Sequence, residues 1–316
     1  MQSDSDSLSK SQVWLLAARP KTLPAAAAPV VVGAALAWRA GQFRWDAALA
    51  ALLAALLLQI GANLANDVFD YHRGADTHQR LGPLRVTQAG LLTPGQVLAG
   101  MWVVFGLAAV LGVYLTWLAG WPVMAIGLAS ILAAIAYTGG PFPFGYYGLG
   151  DLFVFIFFGL VAVCGSFYVH TRSLNWAAFW SALPMGFLIT AILVVNNLRD
   201  LHNDRAAGKR TLAVRLGEQR TRWQYLACLA GAYLTPLGMA AANPSGLPFV
   251  GVGAAGSSLW LLLSWLSLPM GISLVRFVWT TSGKPLNQAL AGTGRLTLIY
   301  GVLFALGLIV PVLLGG

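Results

Sequence analysis

Long uncharged runs, each near the length of a membrane crossing and each closed by a polar cluster or a Gly/Pro break, organise this chain. A helix that spans the hydrocarbon core needs roughly 20 mostly apolar residues, and by that rule nine segments are predicted to cross. The first covers about 23–38, entered through Arg19, Pro20, Lys21 and Thr22. The second starts at Trp45 and runs into an acidic cluster. Val86 to Gly150 holds no charged residue and is too long for one span; Gly120-Trp121-Pro122 divides it into a third and a fourth, the latter ending at Gly139-Gly140-Pro141. The fifth covers about 152–170, and the sixth runs from Trp176 into a second acidic cluster. Asn243-Pro244-Ser245-Gly246 splits the run after Arg222 into the seventh and eighth, and the ninth covers about 296–314. The predicted fold is an all-α integral membrane protein.

The two acidic clusters break the apolar pattern in the same way. Asn63, Asp67 and Asp70 fall at i, i+4 and i+7, one face of a continuing helix, with Asn66 and Asp76 close by. Asn196, Asp200 and Asp204 fall at i, i+4 and i+8 at the end of another uncharged run. The two helices leave the membrane in the same direction four spans apart, which reads as a parallel internal repeat. Carboxylates at a membrane edge are costly and mark function, so one site built from both clusters is expected.

Composition fixes the class. With 58% hydrophobic and 9% charged residues and a mean hydropathy of +0.73, the chain is no ordinary soluble domain, in which about 25% of residues are charged. The formal net charge of +9 then reflects cytoplasmic loops rather than a nucleic-acid partner. Of the 19 Lys and Arg residues, all but Arg39, Arg44 and Arg172 lie on one side if the N-terminus is inside. The expected placement is therefore multi-pass in the inner (plasma) membrane, N-terminus cytoplasmic, C-terminus outside, both acidic clusters facing the cytoplasm. Polar, acidic residues 1–12 are expected to be a disordered cytoplasmic tail, and 13–316 a single transmembrane domain. Cys164 and Cys228 sit in apolar runs and read as small hydrophobes.

A hard cation such as magnesium is held by one or two carboxylates together with substrate phosphates. Asp67, Asp70, Asp76, Asp200 and Asp204 could supply those carboxylates, with Asn63, Asn66 and Asn196 beside them. Arg80, Arg85, Lys209 and Arg210 follow closely and suit phosphate oxygens. The clusters thus read as a magnesium-diphosphate clamp that makes diphosphate a better leaving group. Between the fourth and fifth spans, YTGGPFPFGYYGLGD supplies Tyr137, Tyr146 and Tyr147 among glycines, and reads either as interfacial anchoring or as a lining for a ring-shaped substrate. Asp151 stands alone at the mouth of the fifth span, as an acceptor-binding or proton-handling group or as a helix cap. Paired acids in a repeated bundle also suit a cation-coupled secondary transporter, but such sites lie near the midplane on broken helices rather than at helix ends beside phosphate-suited cations.

NDVFDYHRGAD and DLHNDRAAGKRTLAVRLG resemble the two aspartate-rich motifs of the UbiA superfamily of intramembrane prenyltransferases. With RPKTLPA, RLGPLRVTQAGLLTP and YTGGPFPFGYYGLGD, they look most like its menaquinone branch, over about 19–217. The resemblance implies a nine-helix bundle around a central cavity open to lipid, in which Asn66, Asp67, Asp70, Asp200 and Asp204 organise magnesium and diphosphate, with Arg85, Lys209 and Arg210 on the phosphates. Where many members place the last Asp of the first motif, this chain has Gly74, with Asp76 two residues on. The implied reaction joins the prenyl group of an allylic polyprenyl diphosphate to 1,4-dihydroxy-2-naphthoate with loss of carbon dioxide. Another aromatic acid, 4-hydroxybenzoate or homogentisate, is the alternative acceptor.

Overall fold

The computed structural model describes residues 8–74, 81–242 and 257–314. Every regular element among them is helical. The first helix, α1 (Lys10–Ala18), starts inside the stretch expected to be a tail. A capping box explains it: Ser9 Oγ accepts from the backbone of Gln12, whose side chain in turn accepts from the Ser9 N–H at 2.8 Å. Arg19 ends α1 in the left-handed region at φ 53°, a single turn (Pro20–Thr22) follows, and α2 (Leu23–Arg39) begins.

The remaining helices are α3 (Trp45–His72), α4 (Pro94–Ala119), α5 (Trp121–Ala136), α6 (Gly150–Thr171), α7 (Trp176–Ala206), the short α8 (Leu212–Leu216), α9 (Glu218–Ala242), α10 (Leu268–Thr280) and α11 (Leu286–Leu313). The predicted break between α4 and α5 is present: Gly120 takes φ 92°, which a side chain would resist, and Pro122 opens the next helix. Within α6, Phe155–Val161 widens into a π-helical segment. There a Cβ on Gly159 would meet Gly186 of α7 at 2.5 Å, so the two backbones approach as only glycines permit.

The expected count of nine spans is not reproduced. Among the described residues seven helical stretches are long and apolar enough to cross a membrane: Lys10–Arg39, Trp45–His72, Pro94–Ala119, Gly150–Thr171, Trp176–Ala206, Leu259–Thr280 and Leu286–Leu313. The fourth expected span is the 16-residue α5, short of a full crossing. The seventh corresponds to α9, which runs up to the segment 243–256 outside the described residues.

Packing places α7 at the centre and α4 at the edge. The Ala178, Ala182, Met185, Leu188 and Val195 face of α7 is buried with residues of α2, α6, α9 and α11 in one core. A second core joins α1, α3 and α4 through Val13, Leu64, Val68, Met101 and Phe105. Arg39, Arg44 and Arg172, the basic residues set apart by the charge distribution, share the end away from the acidic clusters. Arg39 Nη1 donates to the Leu308 carbonyl of α11 at 3.2 Å, Arg172 caps the Leu118 carbonyl of α4, and the Arg44 N–H donates to His170 Nδ1 at 3.1 Å.

Candidate active site

A cavity of about 990 Å³ lies among α2 to α7 and α11. One end is polar, lined by Asn66, Asp70, Arg85, Asn196, Asp200, Asp204 and Lys209; the other is apolar, with Val30, Ala51, Leu115 and Val123 in its wall. Val113, Met124 and Leu128 line it as well and are exposed on the bundle surface.

The two acidic clusters meet at the polar end. Lys209, just past α7, places Nζ 3.3 Å from Asp70 Oδ1 on α3 and 4.0 Å from Asp204 Oδ1 on α7. Arg85 pairs with the other Asp70 oxygen at 2.9 Å, and Tyr146 Oη donates to Asp70 Oδ1 at 2.6 Å. Two cations stand over the Tyr146 ring, Lys209 at 4.5 Å and Arg73 at 5.5 Å from its centroid. Asp70 is thus buried among two cations and a phenol, which compensates its desolvation.

The second cluster is organised by Arg199, counted above only as one of the basic residues of the cytoplasmic side. It is instead one of the most enclosed large side chains, donating Nε to Asp200 Oδ1 at 2.9 Å, Nη2 to Asp200 Oδ2 and to Asn196 Oδ1 at 2.9 Å, and Nη1 to Asn287 Oδ1 at 2.8 Å. A guanidinium enclosed in a membrane protein requires such partners. That rule, applied to the Arg that ends the long uncharged run from Trp176 to Leu198, directly before Asp200, is the signal that could have found it. Asn287 on the last helix carried no such signal.

Several residues grouped by helical spacing are parted by packing. Asp67 does not line the cavity: its oxygens accept from the backbone N–H groups of Val86 at 3.1 Å and Thr87 at 3.3 Å. Asn63 is likewise turned away, donating to the Ala18 carbonyl at 3.0 Å and to Thr22 Oγ1 at 2.9 Å, so it ties α3 to the α1–α2 connection. Asn66 stays at the cavity and accepts from Thr138 Oγ1 at 3.0 Å. Arg210 is exposed and outside the cavity lining; its backbone N–H donates to the Tyr146 carbonyl at 2.8 Å. Asp76 and Arg80 lie outside the described residues.

The aromatic linker divides similarly. Tyr137 and Tyr146 line the cavity. Tyr147 is exposed and stacks on Phe142, with centroids 4.3 Å apart. Asp151 is buried outside the cavity lining, accepting from Gln224 Nε2 of α9 at 2.9 Å. Two of the glycines between these tyrosines leave no space for a substrate: a Cβ on Gly145 would meet the Tyr137 ring at 2.9 Å, and one on Gly139 the Phe69 ring at 2.9 Å. Flat surface comes instead from a strip of Tyr137, Phe144, Phe153 and Phe157, all lining the cavity, in which Phe144 and Phe153 stack at 4.0 Å. The Tyr137 phenol, in the same strip, supplies a hydroxyl that can donate a hydrogen bond.

Among the described residues no three acidic, His or Cys side chains stand close enough to hold a metal by themselves. The donor set nevertheless suits magnesium bound with diphosphate. Asp70, Asp200 and Asp204 offer hard oxygens around one cavity, while Arg85 and Lys209 supply positive charge for phosphate oxygens.

Residues 26–271 match the UbiA prenyltransferase family. The chain is 39% identical to 1,4-dihydroxy-2-naphthoate octaprenyltransferase of Escherichia coli, over 95% of this chain and 96% of that protein. It is 38% identical to the protein of the same name from Mycobacterium tuberculosis, over 92% of this chain and 95% of that one. Its fold matches a UbiA homologue from Aeropyrum pernix at a TM-score of 0.68 and 17% identity, covering 93% of this chain and 99% of that one. It also matches a UbiA homologue from Archaeoglobus fulgidus bound to GPP and Mg2+ at 0.63 and 13% identity, covering 94% and 99%. With aspartate-bearing helix ends converging on one cavity and the family matched over most of its length, the chain belongs to the UbiA prenyltransferase family.

Proposed function

We propose that this protein transfers a polyprenyl group from an allylic polyprenyl diphosphate to 1,4-dihydroxy-2-naphthoate, with magnesium, in menaquinone biosynthesis. The observation that carries the reading is the joining of both acidic clusters by Lys209 at the polar end of a cavity whose other end is apolar. The names of the relatives from E. coli and M. tuberculosis support the acceptor, and the A. fulgidus homologue bound to GPP and Mg2+ supports the donor and the metal.

Arg85 and Lys209 would bind the diphosphate oxygens, exchanging their carboxylate partner in part for phosphate. Asp70, Asp200 and Asp204 would hold magnesium, whose bound charge stabilises the diphosphate as it leaves. Tyr146 keeps Asp70 oriented through its 2.6 Å hydrogen bond. The prenyl tail would lie along the Ala- and Val-lined end, where water is disfavoured and an allylic cation is protected from hydrolysis. The acceptor ring would stand against Phe144 and Phe153, near the Tyr137 hydroxyl. As the allylic C–O bond breaks and diphosphate departs, a ring carbon forms the new C–C bond, and the carboxylate leaves as carbon dioxide, returning its bonding pair to the ring.

The test supplies carboxyl-labelled 1,4-dihydroxy-2-naphthoate, 4-hydroxybenzoate and homogentisate separately with one polyprenyl diphosphate to the purified protein. One labelled carbon dioxide released per prenylated naphthalenediol is expected. Preference for 4-hydroxybenzoate with its carboxylate retained would refute the acceptor assignment and leave the diphosphate clamp standing.

A further inference from the structure

We infer that Asn287, at the start of the last helix, is a positioning residue that ties the two halves of the diphosphate site together; this rests on the magnesium-diphosphate reading above. The orientation of its amide is fixed by its partners. A guanidinium only donates, so Oδ1 faces Arg199 Nη1 at 2.8 Å; a backbone carbonyl only accepts, so Nδ2 faces the Leu81 carbonyl at 2.8 Å. Asn287 itself lines the cavity.

Each tie leads to a different acidic cluster. Through Arg199 it reaches the second: the same guanidinium holds both oxygens of Asp200 and the amide oxygen of Asn196. Through Leu81 it reaches the first, because Leu81 opens the short segment that carries Arg85 to Asp70 and the Val86 and Thr87 N–H groups to Asp67. Both Asn287 side-chain bonds leave its own helix, one to α7 and one to the segment that opens at Leu81. Without Asn287 the guanidinium loses the contact that sets its tilt, and with it the direction in which Asp200 presents its oxygens to the cavity. The Leu81 segment loses, at the same time, one of its anchors, the one that reaches α11.

Two substitutions separate the ties. Asn287→Asp keeps an acceptor for Arg199 but places a second acceptor against the Leu81 carbonyl; Asn287→Ala removes both. Gln288→Ala, an exposed neighbour on the same helix, is the control. Purified full-length protein in detergent is melted with and without magnesium plus inorganic diphosphate, and the magnesium concentration for half-maximal prenyl transfer is measured separately. For Asn287→Ala the melting shift produced by magnesium diphosphate should shrink, and the half-saturating magnesium should rise roughly 10-fold or more, as when a residue that orients a metal ligand is lost. KM for the aromatic acceptor should stay unchanged. Asn287→Asp should fall between Asn287→Ala and wild type, and Gln288→Ala should match wild type. A lower melting temperature without ligand, but with the wild-type magnesium-diphosphate shift and magnesium dependence, would show that Asn287 serves stability alone and overturn the inference. A wild-type protein with neither shift nor magnesium dependence would overturn the functional reading, and this inference with it.

Discussion

Lys209 Nζ stands 3.3 Å from Asp70 Oδ1, although the two residues are 139 positions apart and belong to different halves of the bundle. The same ammonium is 4.0 Å from Asp204 and 4.5 Å from the centre of the Tyr146 ring. One cation thus stands between two facing carboxylates, at the polar end of the cavity where a diphosphate would bind.

Replacing Lys209 by Met should therefore lower turnover on the order of 10²-fold, the scale for losing one group that stabilises a developing anion. Asp70 keeps Arg85 and Tyr146, so folding should persist. Steady-state kinetics on detergent-purified protein, with its elution profile on gel filtration, checks both; unchanged kcat/KM for the allylic diphosphate would refute the role.

Asp67 and Asp70 should separate cleanly. Asp67→Ala leaves the Val86 and Thr87 N–H groups without their acceptors, a loss of about 1–3 kcal/mol for each buried group left unsatisfied, which a drop in melting temperature will show. Asp70→Asn should abolish turnover and leave a folded protein, since its amide oxygen can still accept from Arg85 or Tyr146 while the carboxylate charge at the cavity is lost. If Asp67→Ala melts like wild type, the anchoring role is wrong.

Chelation should stop prenyl transfer and added magnesium should restore it, because without a cation between them Asp70, Asp200 and Asp204 would repel a diphosphate of the same sign of charge. Full turnover in metal-free buffer would be incompatible with the clamp.

Acceptor affinity should follow the aromatic strip and not the outer linker. Phe144→Ala removes a ring stacked 4.0 Å from Phe153 in the cavity wall and should raise the acceptor KM several-fold, of the order of the 0.5–1.5 kcal/mol of an aromatic pair beyond its area. Tyr147→Ala, on the exposed surface against Phe142, should leave it unchanged. The reverse ranking would place the acceptor outside the cavity.

The two ends of the bundle should differ in accessibility. In a background lacking Cys164 and Cys228, a cysteine at exposed Arg205 should resist an impermeant thiol reagent in intact cells and react after lysis, while one at exposed Gln42 should react in intact cells. Labelling of Arg205→Cys in intact cells would invert the orientation.

The sequence by itself determined what depends on local rules. Backbone groups in lipid must be satisfied within each segment, so uncharged runs could only be helices, and the break at Gly120-Trp121-Pro122 and the Asn, Asp, Asp clusters at the ends of α3 and α7 were legible directly. Helical spacing placed Asn63, Asp67 and Asp70 on one face, but a face more than one residue wide can meet several neighbours. Only the return of the chain at 85–87 turned Asp67 to backbone and left Asp70 to the cavity, and only the α1–α2 connection claimed Asn63. Arg199 counted only as a cytoplasmic-side charge because spacing cannot say which side of a helix end is enclosed; the packing of α11 beside α7 decided that, bringing Asn287 88 positions along the chain to meet it. Hydrogen-bond partners at a shared site are chosen by which segments approach within 3 Å, and that depends on tertiary packing, not on any pattern along the chain.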